Sequence, residues 1–102
     1  MIIHDFDINK LEEIIKTEIV VLDFYADWCG PCKMLAVELD AFSKENNTIN
    51  IYKINVDNNP EIARKYGIMT IPTLILYKDG KLLDKHIGYF TKDDLKEWIK
   101  GA

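Results

Sequence analysis

The residues best suited to chemistry in this chain are two cysteines three positions apart, within Trp28-Cys29-Gly30-Pro31-Cys32. Two helical residues at this spacing share a face, with Cβ atoms about 5–6 Å apart. Modest local adjustment brings them to the roughly 4 Å that a disulfide requires. The pair can therefore be oxidised and reduced without refolding the chain. Gly30 permits a tight turn into the helix, and Pro31 is tolerated in a first turn because its missing N–H has no intrahelical partner there. The two sulfurs are expected to differ. Cys29 falls at the helix start, where free N–H groups and the positive end of the dipole favour a thiolate by about 0.3–1 kcal/mol at an exposed terminus. It is expected to be the more exposed sulfur and to attack a substrate disulfide. Cys32, one turn deeper, is expected to attack the mixed disulfide and release reduced substrate.

A C-x-x-C pair has two other readings. It can be half of a zinc site, but zinc commonly takes four ligands. The chain has no second cysteine pair, and its two histidines, His4 and His86, stand far apart in sequence. It can also be a structural staple, but closing so small a loop removes little entropy from the unfolded chain. Redox exchange is the reading the residues favour.

Positioning such a pair takes a strand and a helix. Ile19–Tyr25 is an apolar run rich in β-branched and aromatic residues, which predicts a strand covered on both faces. A helix is predicted from Pro31 to Glu45, with Leu35, Leu39 and Phe42 recurring at helical spacing. Around these, Ile2–Phe6 reads as an edge strand, and Asp7 can cap a helix over Ile8–Thr17. Ile49–Val56 reads as a strand, and Asn59-Pro60 opens a short helix to Tyr66 that Gly67 ends. Thr73–Tyr77 and Leu82–Ile87 flank Asp79-Gly80, a hairpin signal. Thr91 and Asp94 resemble a capping box ahead of Leu95, Trp98 and Ile99. Alternating strands and helices predict an α/β fold with a mixed sheet, parallel within the β-α-β units and antiparallel at the hairpin. Trp98, Phe24, Phe42, Tyr77, Met34 and Met69 read as packing residues, and Lys92, Lys96 and Lys100 as a solvated helix face.

The chain has 102 residues, enough for one domain with one core, and a net charge of −4 without a basic block. Nucleic acid and anionic membranes attract clustered Lys and Arg, so neither is expected as a partner. Met1–Asp7 has neither a basic nor a long apolar region of the kind a leader carries, and no apolar run approaches a membrane span. A cytoplasmic protein is the expectation, and in that reducing compartment a close cysteine pair is more often catalytic or metal-binding than structural.

Two segments carry a resemblance. Val21-Leu22-Asp23-Phe24-Tyr25-Ala26-Asp27-Trp28-Cys29-Gly30-Pro31-Cys32-Lys33 resembles the active-site signature of the thioredoxin family, and Tyr66-Gly67-Ile68-Met69-Thr70-Ile71-Pro72-Thr73-Leu74 resembles its second signature. Lys53–Asp57 and Asp79–Gly88 align in order, so the likeness covers essentially the whole chain. It implies the thioredoxin fold, a central mixed sheet of about five strands flanked by about four helices, as a single domain over residues 1–102.

The resemblance also implies roles. Asp23, a charge in an apolar strand, matches the buried carboxylate that accepts the proton of Cys32, and Lys53 matches its neighbouring lysine. Ile71-Pro72 matches the family's cis-proline turn, which sets the Thr70–Ile71 backbone opposite Cys29 for an extended substrate segment to pair with. Trp28, Gly30, Pro31, Ile71, Pro72 and Gly88 would surround the sulfurs with a flat docking rim. The implied activity is reduction of diverse disulfide-containing proteins by a monomer that carries no cofactor or metal. A thioredoxin reductase drawing on NADPH or ferredoxin would restore the dithiol. Gly30-Pro31 resembles the reducing members, while a disulfide oxidase or isomerase on the same fold, or a redox-independent binding subunit, are the alternatives. Two positions depart from the family pattern. Tyr25 replaces a common Trp, and Val37 replaces a helix-kinking Pro, so a straighter helix is expected.

Overall fold

The computed structural model describes residues 1–101. The elements are β1 (Ile2–Ile3), α1 (Leu11–Ile14, preceded by a 3-10 turn over Ile8–Lys10), β2 (Ile19–Tyr25), α2 (Gly30–Glu45), β3 (Asn50–Asn55), α3 (Pro60–Lys65), β4 (Thr73–Lys78), β5 (Lys81–Ile87) and α4 (Lys92–Lys100). The strands form one sheet in the order β1-β3-β2-β4-β5. The most continuously apolar strand, β2, sits at its centre, as a segment buried on both faces must.

Strand alternation sorts the core into two layers. Val20, Leu22 and Phe24 of β2 join Leu11, Ile54, Ile75 and Tyr77 on one face, where α1 and α3 pack. Val21 joins Leu74, Leu76, Leu35, Leu39, Phe42 and Leu95 on the other, under α2 and α4. The buried stripe of α2 is Cys32, Leu35, Leu39 and Phe42. The spacing that anchors the helix to the sheet therefore also turns Cys32 inward. Helix α4 is fixed by the expected capping box: Thr91 Oγ1 accepts from the Asp94 N–H at 3.1 Å, and Asp94 Oδ2 accepts from the Thr91 N–H at 3.0 Å.

Several expectations change. The β-α-β reading predicts a parallel return after α3, but β4 runs antiparallel to β2. With six residues, α3 spans about 9 Å, while the six residues of β3 span about 20 Å. So short a helix does not carry the chain back along the strand. The predicted helix over Ile8–Thr17 is a 3-10 turn and a four-residue helix. Lys92 is not merely solvated, since its ammonium lies 2.9 Å from Glu45 and its N–H donates to Glu38, tying α4 to α2. Met34 and Met69 do not pack, and Met69 is 96% exposed. Trp98 is half-buried, because its Nε1–H reaches Asp84 at the sheet edge, 2.8 Å away. Val37 is exposed on an unbroken α2.

Burial decides which changes matter. Phe42→Ala is expected to destabilise the protein by about 3–5 kcal/mol in urea unfolding, because it opens a cavity in the layer beneath α2. Val37→Ala should change stability by less than about 0.5 kcal/mol.

Candidate active site

Strand β2 ends at Tyr25, and the chain turns through Ala26, Asp27 and Trp28 before α2 begins. The Cys29 N–H donates to Ala26 O at 3.2 Å, closing that turn. Cys29 is the N-cap of α2, with extended backbone (φ −88°, ψ 110°), and Pro31 occupies the first turn. Its Sγ accepts a hydrogen bond from the Cys32 N–H at 3.2 Å. That is the bond a Ser or Thr oxygen would take at an N-cap, satisfying one of the helix's orphan donors. Cys29 and Cys32 form a disulfide, with Cα atoms 5.2 Å apart.

Both cysteines are buried as residues in this oxidised form. Cys29 is 4% exposed and Cys32 3%, because Ala26, Tyr25, Val56 and Ile71 pack over the pair. Their difference lies in the backbone instead, one capping the helix and the other inside its buried stripe.

Trp28 is 70% exposed, and Gly30 and Pro31 are exposed beside it. The Trp28 indole is held by its Nε1–H donating to Asp57 Oδ2 at 2.9 Å. The Ile71-Pro72 peptide is cis, and the Ile71 carbonyl oxygen lies 3.9 Å from Cys29 Sγ. Gly88 has φ +103°, a conformation that side-chain-bearing residues rarely adopt, and its N–H donates to Pro72 O at 2.9 Å. The end of β5 is thereby fastened to the proline turn. Thr70 differs from the expectation of a free backbone: its carbonyl accepts from the Thr73 hydroxyl at 2.6 Å.

A carboxyl is buried in the central strand β2. Asp23 pairs in register with Lys53 across β2 and β3. Alternation puts it with Val21 on the face covered by α2, the helix that carries Cys32. Lys53 Nζ lies 2.6 Å from Asp23 Oδ2, and both side chains are buried. The other oxygen, Oδ1, has no hydrogen-bond partner. Burial pushes the Asp23 carboxyl above its ordinary range, and the Lys53 charge and hydrogen bond only partly oppose this. Lys53 also sits 4.4 Å above the centre of the Tyr25 ring, a cation–π contact. A cavity of about 260 Å³ lined by Cys32, Lys53, Tyr25, Ala36 and His4 adjoins this region.

Sequence reasoning missed Asp57 as the anchor of Trp28 and Tyr25 as a platform for Lys53. Asp57 stands 29 residues from Trp28, and no local spacing links them. Lys53 was findable only through the family resemblance; parallel pairing of β2 and β3 then sets it opposite Asp23.

The raised Asp23 carboxyl makes a signed prediction. Between the unfolded and folded values the native state binds more protons than the unfolded state, so its stability falls as pH rises through that window. Relative to the parent, Asp23→Asn should therefore gain stability from acid to alkaline pH, as measured by urea unfolding across pH. A difference independent of pH would contradict the raised value.

Comparison with known proteins agrees with this architecture. The family model described as Thioredoxin matches residues 4–101. A thioredoxin of Chlamydia caviae is 48% identical over 87 residues, covering 85% of each chain. Among solved structures, the oxidised mitochondrial thioredoxin 3 of Saccharomyces cerevisiae superposes with a TM-score of 0.87 at 34% identity, covering 99% of this chain and 95% of the other. The oxidised thioredoxin of Plasmodium falciparum does so with a TM-score of 0.84 at 31% identity, covering 99% and 97%. With a redox-active cysteine pair capping a helix beside a cis-proline turn, and with relatives of this closeness, the chain belongs to the thioredoxin family of thiol–disulfide oxidoreductases.

Proposed function

We propose that the protein reduces disulfides of other proteins, with Cys29 as the attacking sulfur and Cys32 as the resolving one. The observation that carries this reading is the cap, since the Cys29 sulfur accepts an N–H of the helix it begins. In the reduced protein the same donor and the helix dipole favour negative charge on that sulfur.

The Cys29 thiolate attacks one sulfur of a substrate disulfide. A mixed disulfide forms and the first substrate thiolate leaves, to be protonated by solvent. Cys32 then gives its proton to the Asp23 carboxylate and attacks Cys29 Sγ. The Cys29–substrate bond breaks, the second substrate thiolate leaves, and the protein is left as the Cys29–Cys32 disulfide. Two electrons have passed from the dithiol to the substrate. A carboxyl raised by burial suits this proton acceptor. Lys53, held over Tyr25, keeps Asp23 ionisable in an apolar layer.

Substrate segments dock in extended form on Trp28, Gly30, Pro31, Ile71 and Gly88. The Ile71 backbone adds a strand-like pairing that reads no side chain, which allows varied partners. A thioredoxin reductase restores the dithiol, and the chain acts as a cytoplasmic, monomeric single domain. No helix among the described residues is long and apolar enough to cross a membrane.

Two outcomes follow. Cys32→Ser should accumulate mixed disulfides with partner proteins through Cys29, whereas Cys29→Ser should accumulate almost none; trapping by the second variant alone would reverse the roles. In stopped-flow reduction of a protein disulfide, Asp23→Ala should slow release of reduced substrate about 10-fold or more near neutral pH, while barely changing the first attack. Equal slowing of both steps would remove Asp23 from proton transfer.

A further inference from the structure

A broad concavity lies away from the cysteines, on the sheet face packed by α1 and α3. It encloses about 710 Å³, within the range of small-molecule sites. Register explains why it is open. Tyr77 faces Leu82 across the β4–β5 ladder, and Ile75 faces Lys85, so these four side chains lie on one face. The short α1 and the six-residue α3 stand over β2 and β4 and leave β5 uncovered there. Leu82 is 52% exposed as a result. Ile8, Leu11, Ile15 and Ile62 form apolar walls.

The rim has the opposite charge to the protein as a whole. Lys16, Lys65 and Lys85 line it with a single carboxylate, Glu12, in a chain of net charge −4. Glu12 lies 3.8 Å from Lys65. Among the described residues no carboxylate lies within ion-pair distance of Lys16 or Lys85. Lys16 packs beside the β4–β5 turn, against Gly80, and so stands on the same side of the groove as Leu82. The floor offers one more polar group. The hydroxyls of Tyr66 and Tyr77 are 3.0 Å apart. A hydrogen bond between two hydroxyls uses one proton and leaves the other to be donated. Burial and this contact push the Tyr66 hydroxyl above the ordinary tyrosine range, so it stays neutral.

We propose that this groove is a binding site for small amphipathic carboxylates, with the apolar body on Leu11, Ile62, Ile75 and Leu82 and the head group between Lys16 and Lys85. Charge selects the occupant. An apolar ligand with a cationic head would meet two ammonium groups lacking counter-ions, and a neutral one would leave them unused. Neither Cys29 nor its rim lines the groove, so the site does not depend on how the sulfurs share their roles.

The test is an NMR titration of the oxidised full chain with dodecanoate below its micelle concentration, with dodecylammonium as the charge-reversed control. Saturable shifts centred on Leu11, Ile62, Ile75 and Leu82 are expected, with dodecanoate at least 10-fold tighter than dodecylammonium. Lys16→Glu/Lys85→Glu should weaken dodecanoate at least 10-fold and leave protein-disulfide reduction unchanged; Lys16→Gln/Lys85→Gln serves if charge reversal impairs folding. Equal affinity for both amphiphiles, shifts centred on Trp28 and Ile71, unsaturated shifts, or unchanged binding by the lysine variants would each overturn the proposal.

Discussion

The hydrogen bond from the Cys32 N–H to Cys29 Sγ joins the fold to the chemistry. It requires a helix that begins at residue 30 and a sulfur held just before its first turn. The helix is placed by the stripe Cys32, Leu35, Leu39 and Phe42 against the central strands. The sulfur is placed by the end of β2 and by the Cys29 N–H bonded to Ala26 O. In the disulfide the sulfur is neutral and the cap is weak. After reduction the same donor faces a thiolate, and charge-assisted hydrogen bonds are roughly twice as strong as neutral ones. On this reading, reduction meets a donor already in place for the charge it creates.

Asp23 and Lys53 show the opposite balance. Taking two charges out of water costs several kcal/mol per ion after relaxation, and their attraction offsets this only with full hydrogen bonding. Here Asp23 Oδ1 has no partner, so the pair is weak support for stability. Its components are nonetheless held carefully. Parallel pairing sets the two residues opposite each other, the Tyr25 ring supports the ammonium, and a cavity shared by Lys53 and Cys32 lies alongside. A charge kept at this cost in the centre of a sheet suits a group that must exchange a proton with its surroundings.

Much of this was legible in the sequence for identifiable reasons. The β2 run, the α2 stripe, the Asp79-Gly80 turn and the Thr91–Asp94 box are local patterns, and each formed where its residues indicate. Asp79 and Gly80 both adopt the positive φ that such a hairpin turn requires. What local patterns do not carry is direction and distance. The antiparallel β4 follows from the reach of α3 rather than from any strand residue. Met69 reads as apolar filling, yet it sits in the exposed loop before the proline turn. The Trp28–Asp57 and Trp98–Asp84 bonds join segments brought together only by the sheet. The site was legible at the cysteines themselves; the family resemblance supplied Asp23, Lys53 and the Ile71-Pro72 turn.

The central claim is that the N-cap position makes residue 29 the reactive sulfur, and it is tested most directly in the reduced protein. Alkylation with iodoacetamide across pH, followed by peptide mass spectrometry, reads each cysteine separately. Modification of Cys29 should begin at lower pH and run well ahead of Cys32, which stays shielded in the buried stripe of α2. Fast modification of Cys32 with an inert Cys29 would contradict the account.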